Sequence, residues 1–398
     1  MDNAATTFPK PPVVHEAMMR YATELGASPG RGAYAEAQEA GHLMVECRER
    51  INELINGESH DHVIFTLNTS DALNLAIRGI VDPILSRGRG ETPHVITTHL
   101  DHNSVLRPFN KLVSDLGVEQ SRVQCDLQTG LVDPDDIRKA IKPNTCLIAV
   151  VHGSNVSGTL QPVSAIGPIA REHDIPFLVD AAQTLGHMPV DVQRDMIDLL
   201  AFPGHKGLLG PLGTGGLYIR PGIERRMWTV REGGTGSISE QDTQPQFMPD
   251  RFEPGSHNAI GIIGLGAAVK WILEKGVDQL WSHERELIEI MTERLTNMPG
   301  LTLFGPQGTE NRCGVFAIRI EGFEQPQSLS NLLERDYNIL TRSGIHCAPL
   351  AHETFGTHRL GGMTRFSFGP FTTKEDVEYT CDALEKICRL SPLPLGEG

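Results

Sequence analysis

The stretch DLLAFPGHKGLLGPLGTGGLYI, residues 198–219, decides the fold. Its apolar run 199–202 predicts a buried strand, which ends at Pro203-Gly204-His205-Lys206 and leads into a glycine-rich turn. A lysine at a strand end can hold an aldehyde cofactor as a Schiff base, and glycines there would leave room for a flat ring and a phosphate. From this stretch alone, a glycine-rich turn with a solvated lysine is an equal alternative.

A second stretch, PFLVDAAQ at 176–183, favours the cofactor. It predicts an apolar strand with Asp180 at its carboxyl end, 26 residues before Lys206. A strand-end carboxylate is often only a solvated cap. Paired with a downstream strand-end lysine, it can instead keep a pyridinium nitrogen protonated, which makes the ring of pyridoxal phosphate an electron sink. The two stretches together predict that Asp180 and Lys206 hold this ring.

VDAAQ followed by GHKGLLGPLGTGGLY resembles the class V aminotransferase-fold enzymes that use pyridoxal phosphate, and within them the cysteine desulfurases. The resemblance runs from DNAATT at 2–7 to about Arg389. It implies an α/β fold, the fold type I of pyridoxal-phosphate-dependent aminotransferases. A large domain would hold a mostly parallel seven-stranded sheet, and a smaller C-terminal domain would be α+β.

The predicted domains follow from this resemblance and from the pattern of the chain. Residues 14–256 would form the large cofactor-binding domain. Residues 1–13 and 257–390 would form the small domain, which carries a catalytic cysteine loop, and residues 391–398 would be a disordered tail.

Composition limits the class of protein. The 398 residues, 39% of them hydrophobic, suffice for two packed domains. With 35 Lys and Arg against 50 Asp and Glu, the formal charge of −15 argues against a nucleic-acid partner. Seven scattered cysteines without a CxxC motif argue against a disulfide framework or a zinc site. Without a charged leader or an apolar run of membrane-spanning length, we expect a cytoplasmic protein that does not enter a membrane.

Strands and helices alternate through the first half of the chain. The predicted strands are 62–67, 94–99, 118–125, 145–151, 176–181 and 199–202, with helices at 13–25, 35–56, 70–85, 103–116, 134–142 and 164–173 between or before them. This alternation predicts a mostly parallel sheet covered on both faces, with ligands at the carboxyl ends of its strands. Residues 231–257 predict a loop that crosses between domains or subunits. The second domain is predicted as helices 259–275, 278–298, 328–336 and 373–389, strands 313–321 and 364–368, and a loop at 342–363.

The phosphate site is predicted between a strand and a helix. Hydroxyls and free backbone N–H groups at a helix N-terminus bind anions, and Thr69-Ser70 match the phosphate-cradling turn that the resemblance implies. A plain N-cap is the alternative. His205 would contribute as well, whereas Pro203 stands where relatives carry a hydroxyl and cannot donate.

Other cofactor contacts follow from the resemblance alone. His102 matches the histidine that stacks on the ring, Gln183 would hydrogen-bond the ring hydroxyl, and Asn155 would face the substrate or a cofactor oxygen. Within FEPGSHN, Gly255 and Ser256 would reach the phosphate site of a partner subunit, which implies a homodimer. An ordinary interdomain turn is the alternative.

Cys347 distinguishes a desulfurase from the other reactions that this family could catalyse. A free cysteine is more often a small buried hydrophobe, but this one lies in TRSGIHCA at 341–348, beside Arg342 and His346, whose positive charge would favour a thiolate. The run resembles the RxGxHCA motif of the cysteine desulfurase branch that includes selenocysteine lyases, although Pro349 departs from its usual continuation. Arg365 matches the arginine that binds the substrate's α-carboxylate, with Arg342 as a further substrate contact.

The resemblance therefore implies a cysteine desulfurase. L-Cysteine would become L-alanine, and its sulfur would pass to Cys347 as a persulfide and then to an acceptor protein or small thiol, for example in iron–sulfur cluster assembly. Three alternatives remain open: a selenocysteine lyase acting on L-selenocysteine, another class V lyase or aminotransferase, and a sulfur-relay scaffold without cofactor. No metal is expected.

Overall fold

The larger sheet has seven strands. The computed structural model of the chain describes residues 1–29, 32–86 and 92–390. In this part of the chain the strands of the larger sheet are β1 (Val63–Thr66), β2 (His94–Thr98), β3 (Glu119–Val123), β4 (Thr145–Val151), β5 (Phe177–Asp180), β6 (Leu199–Pro203) and β7 (Gly215–Ile219). Their order is β1-β7-β6-β5-β4-β2-β3. All strands run parallel except β7, which is antiparallel to both of its neighbours.

Helices cover both faces of this sheet because its central strands are apolar on both sides. The helices of this part are α1 (Pro12–Arg20, continued by a π-helical turn Tyr21–Leu25), α2 (Ala35–Leu54), α3 (Thr69–Ser86), α4 (Asn103–Leu116), α5 (Pro134–Ala140) and α6 (Val163–Glu172). Alternate residues of a strand point to opposite faces. In β4, Leu147 therefore packs in the core formed with α3 and α4, and Ile148 packs in the core formed with α2, α5 and α6.

The smaller sheet is antiparallel. Its strands are β8 (Leu301–Phe304), β9 (Val315–Ile320), β10 (Arg342–Gly344) and β11 (Met363–Ser367), in the order β10-β11-β9-β8. The remaining helices of the described chain are α7 (Ala259–Lys275), α8 (Val277–Thr296), α9 (Pro326–Tyr337), α10 (Pro349–Thr354) and α11 (Lys374–Leu390). Apolar residues of α8, α9 and α11 form a core with β9 and β11. This is the α+β half that the sequence predicts.

The predicted fold class is confirmed, and three strands were not located from the sequence, β7, β8 and β10. The seventh strand of the large sheet is β7, which begins at two glycines, and β8 is short and half-exposed. Because β7 starts with these two glycines and β8 has only four residues, neither gives a pattern long enough to predict a strand. The predicted loop 342–363 is wrong in two places, because β10 pairs with β11 there and Pro349 starts α10 at the first helical position, where proline is favoured.

The domain boundaries stay a proposal. α7 packs along α1 and α2 and shares their core, which favours a boundary nearer to Gly276 than to residue 257. The predicted tail 391–398 lies outside the described residues. Within the described ranges, the helices are all too short or too polar to cross a membrane.

Candidate active site

A cleft opens at the carboxyl ends of the parallel strands, where the βα pattern predicts a ligand. It lies where β1, β2, β4, β5 and β6 lead into loops and helix starts. The residues that line it are Asn68, Thr69, Ser70, His102, Ser104, Val151, Gly153, Asn155, Asp180, Ala182, Gln183, His205 and Lys206. The structure thus brings together eight of the predicted site residues: Thr69, Ser70, His102, Asn155, Asp180, Gln183, His205 and Lys206. The sequence reading did not assign Ser104, which lies two positions after His102.

The turn that carries Lys206 is built by close backbone contacts. A Cβ on Gly207 would lie 2.3 Å from the carbonyl oxygen of Leu185, and a Cβ on Gly204 would lie 2.1 Å from Thr214 Oγ1. Both positions therefore exclude any side chain. The expectation that the glycines leave room for a ring is corrected at these two positions, since the space beside them is filled by the protein itself.

Lys206 and Asp180 lie on neighbouring strand ends and perturb each other. Burial lowers the pKa of Lys206 to about 8; the charge of Asp180 opposes this shift, and those of Arg365 and Arg342 add to it. A lysine with such a pKa has a substantial share of nucleophilic, neutral amine near pH 8. This is the state that reaction with an aldehyde requires.

The Asp180 carboxylate is only partly satisfied. It is buried and accepts a hydrogen bond from the Ala182 N–H at 3.0 Å. Burial raises its pKa to about 6, against the lowering effects of that bond and of Lys206. A buried carboxylate of this kind is stabilised by a cationic N–H donor in the cleft, such as a protonated pyridine nitrogen.

The half-buried His102 also lines the cleft. His102 caps α4, and its Nδ1 accepts from the Ser104 N–H at 3.0 Å. Burial, with Lys206 as the largest of several nearby positive charges, lowers the pKa of His102 to about 4, so the ring is neutral at pH 7. The adjacent Asp101, whose pKa burial raises to about 7, accepts from Thr98 and from the Val151 N–H at 2.8 Å and fixes this strand end.

Two hydroxyls and a histidine nitrogen also line the cleft. Thr69 and Ser70 begin α3, and the Ser70 hydroxyl lies 2.6 Å from that of Ser104 at the start of α4. His205 Nδ1 is buried and has no hydrogen-bond partner within the described chain. These groups provide donors and positive helix ends for an anion such as a phosphate.

Two amides complete the lining. Asn155 Nδ2 donates to the His346 carbonyl at 2.7 Å, while its Oδ1 is buried and unpartnered as far as the structure describes the chain. Gln183 Nε2 donates to the Ala4 carbonyl at 3.1 Å. Asn155 thus links the cleft to the cysteine loop, and it keeps an acceptor for a ligand.

Cys347 lies on a left-handed turn and is exposed. Both His346 and Cys347 have positive φ, 52° and 58°, which is rare for residues with side chains. The Cys347 carbonyl accepts from the Asn103 N–H at 2.8 Å, beside the cleft-lining His102, and Arg342 Nη2 contacts Cys347 Sγ at 3.8 Å. The turn therefore presents the thiol next to the cleft and out of the core.

The expected positive charge of His346 is wrong. This side chain is buried, and burial, followed by the charge of Arg365, lowers its pKa well below the ordinary range. A neutral imidazole adds no positive charge to the surroundings of Cys347. Of the two predicted cations, only Arg342 contacts the sulfur.

Arg365 lies on β11, one strand away from the loop. Its Nη1 donates to the Asn155 carbonyl at 3.0 Å, and its Nη2 pairs with the Asp2 carboxylate at 2.8 Å. Arg342 is its cross-strand partner on β10. The structure thus gathers Arg342, Cys347 and Arg365 beside the cleft without making them part of its lining.

Gly255 and Ser256 do not line this cleft. Both are exposed, and Ser256 borders a different cavity, formed with Leu67, Asp71 and Gly213. Their predicted place in a partner's phosphate site requires a second subunit. It stays a prediction.

The chemistry of the cleft fits pyridoxal phosphate. It offers a lysine of lowered pKa, a buried carboxylate, two helix N-termini and a histidine nitrogen that has no hydrogen-bond partner among the described residues. The lysine meets the aldehyde of this cofactor, the carboxylate meets its ring nitrogen, and the histidine nitrogen and helix N-termini meet its phosphate. Lys206, Asp180, Gln183, His102, Thr69, Ser70, His205 and Asn155 are the residues of this chain that could hold it.

Comparisons with known proteins agree along the whole chain. The family model "Aminotransferase class-V" matches residues 1–380. A probable cysteine desulfurase of Methanothermobacter thermautotrophicus is 35% identical over 387 residues, 97% of this chain and 94% of that protein. The apo structure of a cysteine desulfurase from Thermococcus onnurineus has a TM-score of 0.90 at 32% identity, covering 98% of this chain and 94% of that one. The cysteine desulfurase CsdA of Escherichia coli, solved in an S-sulfonic acid form, has a TM-score of 0.86 at 27% identity, covering 98% and 95%.

Proposed function

The chain belongs to the class-V aminotransferase family, and we propose that it is a pyridoxal-phosphate-dependent cysteine desulfurase that converts L-cysteine to L-alanine. The observation that carries the proposal is the exposed Cys347, held on a left-handed turn beside a cleft that contains Lys206 and Asp180. A general lyase or aminotransferase of this family needs the cleft but has no use for the presented thiol. The names of the relatives favour the same reaction over a selenocysteine lyase or a scaffold.

Each cleft residue has a task in this reaction. When bound, pyridoxal phosphate withdraws electrons from the α-carbon of the substrate and makes its proton acidic. Lys206 would attach the cofactor through its neutral amine and, once released, serve as the base for that proton. Asp180 would hold the ring nitrogen protonated, and the neutral His102 would form the wall of the ring site.

The phosphate and substrate contacts come from the cleft lining and from the arginines beside it. Thr69, Ser70 and His205 would bind the phosphate, and Gln183 and Asn155 would bind oxygens of the cofactor or substrate. Arg365, with Arg342 beside it, would bind the α-carboxylate of cysteine.

Cys347 would receive the sulfur. Its thiolate attacks the γ-sulfur of the substrate, an S–S bond forms and the carbon–sulfur bond breaks. The electron pair of the broken bond remains with the carbon skeleton, which takes up protons and leaves as alanine. The persulfide on Cys347 is exposed, so an acceptor protein or a small thiol can reach it.

Three further proposals concern the assembly and the setting of the enzyme. We propose a homodimer in which Gly255 and Ser256 complete the partner's phosphate site. We also propose a cytoplasmic location and delivery of the sulfur to an acceptor such as one for iron–sulfur cluster assembly.

The cofactor assignment is tested by Lys206→Ala. Incubation with pyridoxal phosphate and borohydride should link the cofactor covalently to the wild type and not to this variant, because the variant lacks the attaching amine. Mass spectrometry of the digested protein measures the adduct. Lys10→Ala is the matched control, since burial lowers the pKa of Lys10 to about 8 as well. An adduct that disappears with Lys10 and persists without Lys206 would overturn the assignment.

A further inference from the structure

The predicted carboxylate-binding arginine already holds a carboxylate of its own chain. Arg365 is only 1% exposed, and Asp2, at the opposite end of the sequence, pairs with its Nη2 through one oxygen. Nη1 is taken by the Asn155 carbonyl, and Nε is buried without a partner among the residues that the structure describes. The guanidinium is therefore neutralised in charge but incompletely hydrogen-bonded.

The backbone of Asp2 is fixed, while its side chain is not enclosed. Ser367, two positions after Arg365 on β11, donates its N–H to the Met1 carbonyl at 2.8 Å and accepts from the Ala4 N–H through its hydroxyl at 2.8 Å. The Asp2 side chain remains 32% exposed. It can turn toward water without disturbing the strand contact.

A carboxylate is needed at this place because two arginines face each other. Arg342 and Arg365 are directly opposite on β10 and β11, where side chains share a face of the sheet and like charges repel. Burial lowers the pKa of Arg365, and Asp2 is the largest opposing influence. An ionised Arg365 without any carboxylate would be a buried unpaired charge, which is strongly destabilising.

We propose that Asp2 is an internal stand-in for the substrate's α-carboxylate, which exchanges with it on Arg365. This rests on the proposed function, in which Arg365 binds that carboxylate. An incoming carboxylate can accept from Nε and Nη2 together, the bidentate geometry that guanidinium favours. It satisfies the orphaned Nε, and release of Asp2 keeps the charge of the site unchanged. Binding of the substrate then requires displacement of Asp2, so Asp2 lowers the affinity of the site for amino acids.

The test is the affinity of the holoenzyme for L-alanine, the product, measured by calorimetry in wild type and Asp2→Asn. Removing the competing charge should lower the dissociation constant about tenfold, the effect of one hydrogen bond to a charged group. Asp2→Glu, which restores a carboxylate, should remain near wild type. Ethylamine, which lacks the carboxylate, should bind equally to all variants. Glu310→Gln removes one charge from an exposed side chain and should change nothing.

A second measurement, of melting temperature, accounts for loss of stability in Asp2→Asn as well as its change in affinity. Asp2→Asn should melt at a lower temperature than wild type without ligand, and L-alanine should restore its melting temperature by a larger shift than in wild type. Unchanged or weaker L-alanine binding in Asp2→Asn would overturn the inference. Arg365→Lys distinguishes failure of the proposed function from failure of the exchange. If this variant keeps the wild-type affinity for L-alanine, Arg365 does not bind the carboxylate and that part of the proposed function is wrong. If it weakens L-alanine binding while Asp2→Asn does not strengthen it, only the exchange is wrong.

Discussion

At the residue scale, Asp180 is buried and accepts one hydrogen bond from the described part of the chain, and this makes the cleft sensitive to pH when no cofactor is bound. Its pKa of about 6 in the folded protein exceeds the value of about 3.9 for an unfolded chain. Folding therefore takes up a proton between about pH 4 and 6. The stabilising contribution of the group is complete below this window and is lost as the pH rises through 6.

The prediction concerns Asp180→Asn in protein stripped of cofactor. At pH 8 the variant should be more stable than wild type by up to about 3 kcal/mol, because it avoids burying a carboxylate charge. The difference should shrink as the pH falls toward 4. Urea denaturation across this range measures it. A difference that stays constant with pH would contradict the burial of an ionised Asp180.

The sequence was sufficient to place a residue wherever the local hydrophobic pattern determines its position in the fold. Asp180 and Lys206 follow apolar runs, so their place at strand ends could be read directly. Asp2 could not be found this way, since its partner Arg365 lies 363 residues away and joins it only through the small sheet. The charge of His346 was misjudged for a similar reason, because its burial depends on α10 and β10, which the loop pattern concealed.

At the scale of elements, the segment FEPGSHN is anchored by a buried ion pair. Glu253 forms a bidentate pair with Arg48 of α2, at 2.7 and 3.0 Å, and also accepts from the Phe65 N–H of β1 at 2.6 Å. Both side chains of the pair are less than a tenth exposed. The pair thus fixes the segment that carries the predicted trans ligands Gly255 and Ser256.

Glu253→Gln should therefore lower the free energy of unfolding and weaken the predicted dimer. Leaving Arg48 buried without its counter-charge costs about 3–5 kcal/mol. Chemical denaturation measures the loss, and sedimentation velocity should show a shift toward monomer. The double variant Arg48→Met with Glu253→Gln is the control and should recover part of the stability. If Glu253→Gln matched wild type in both measurements, the anchoring role would be refuted.

At the scale of the whole molecule, irregular segments of the two halves join beside the cysteine loop. The segment 154–160 pairs with 311–313, where the Cys313 N–H donates to the Gly158 carbonyl at 2.8 Å. The buried Arg312 donates to the Ser157 carbonyl at 3.0 Å. Asn155 then contacts both the His346 carbonyl and Arg365. Asn155 thereby connects the cleft to the small sheet and to the cysteine loop.

This arrangement explains what a sequence can and cannot predict about the molecule. Periodicity and glycine placement predicted the alternating half, because its strands are apolar runs separated by helices. The pairing of 154–160 with 311–313 has no such signal, since it joins irregular segments from the two halves. The resemblance indicated the residues that meet there, but the physical contacts that bring them together appear only in three dimensions.

The most direct test of the desulfurase mechanism is alanine formation from L-cysteine by Cys347→Ser. The variant should still bind pyridoxal phosphate, because none of the cleft-lining residues has changed. Its alanine production should fall by orders of magnitude, since a serine hydroxyl cannot take up sulfur as a thiolate does. Cys125→Ser and Cys381→Ser, at buried positions away from the cleft lining, are the controls and should retain activity if they fold. Wild-type alanine production by Cys347→Ser would contradict the mechanism and indicate a general lyase.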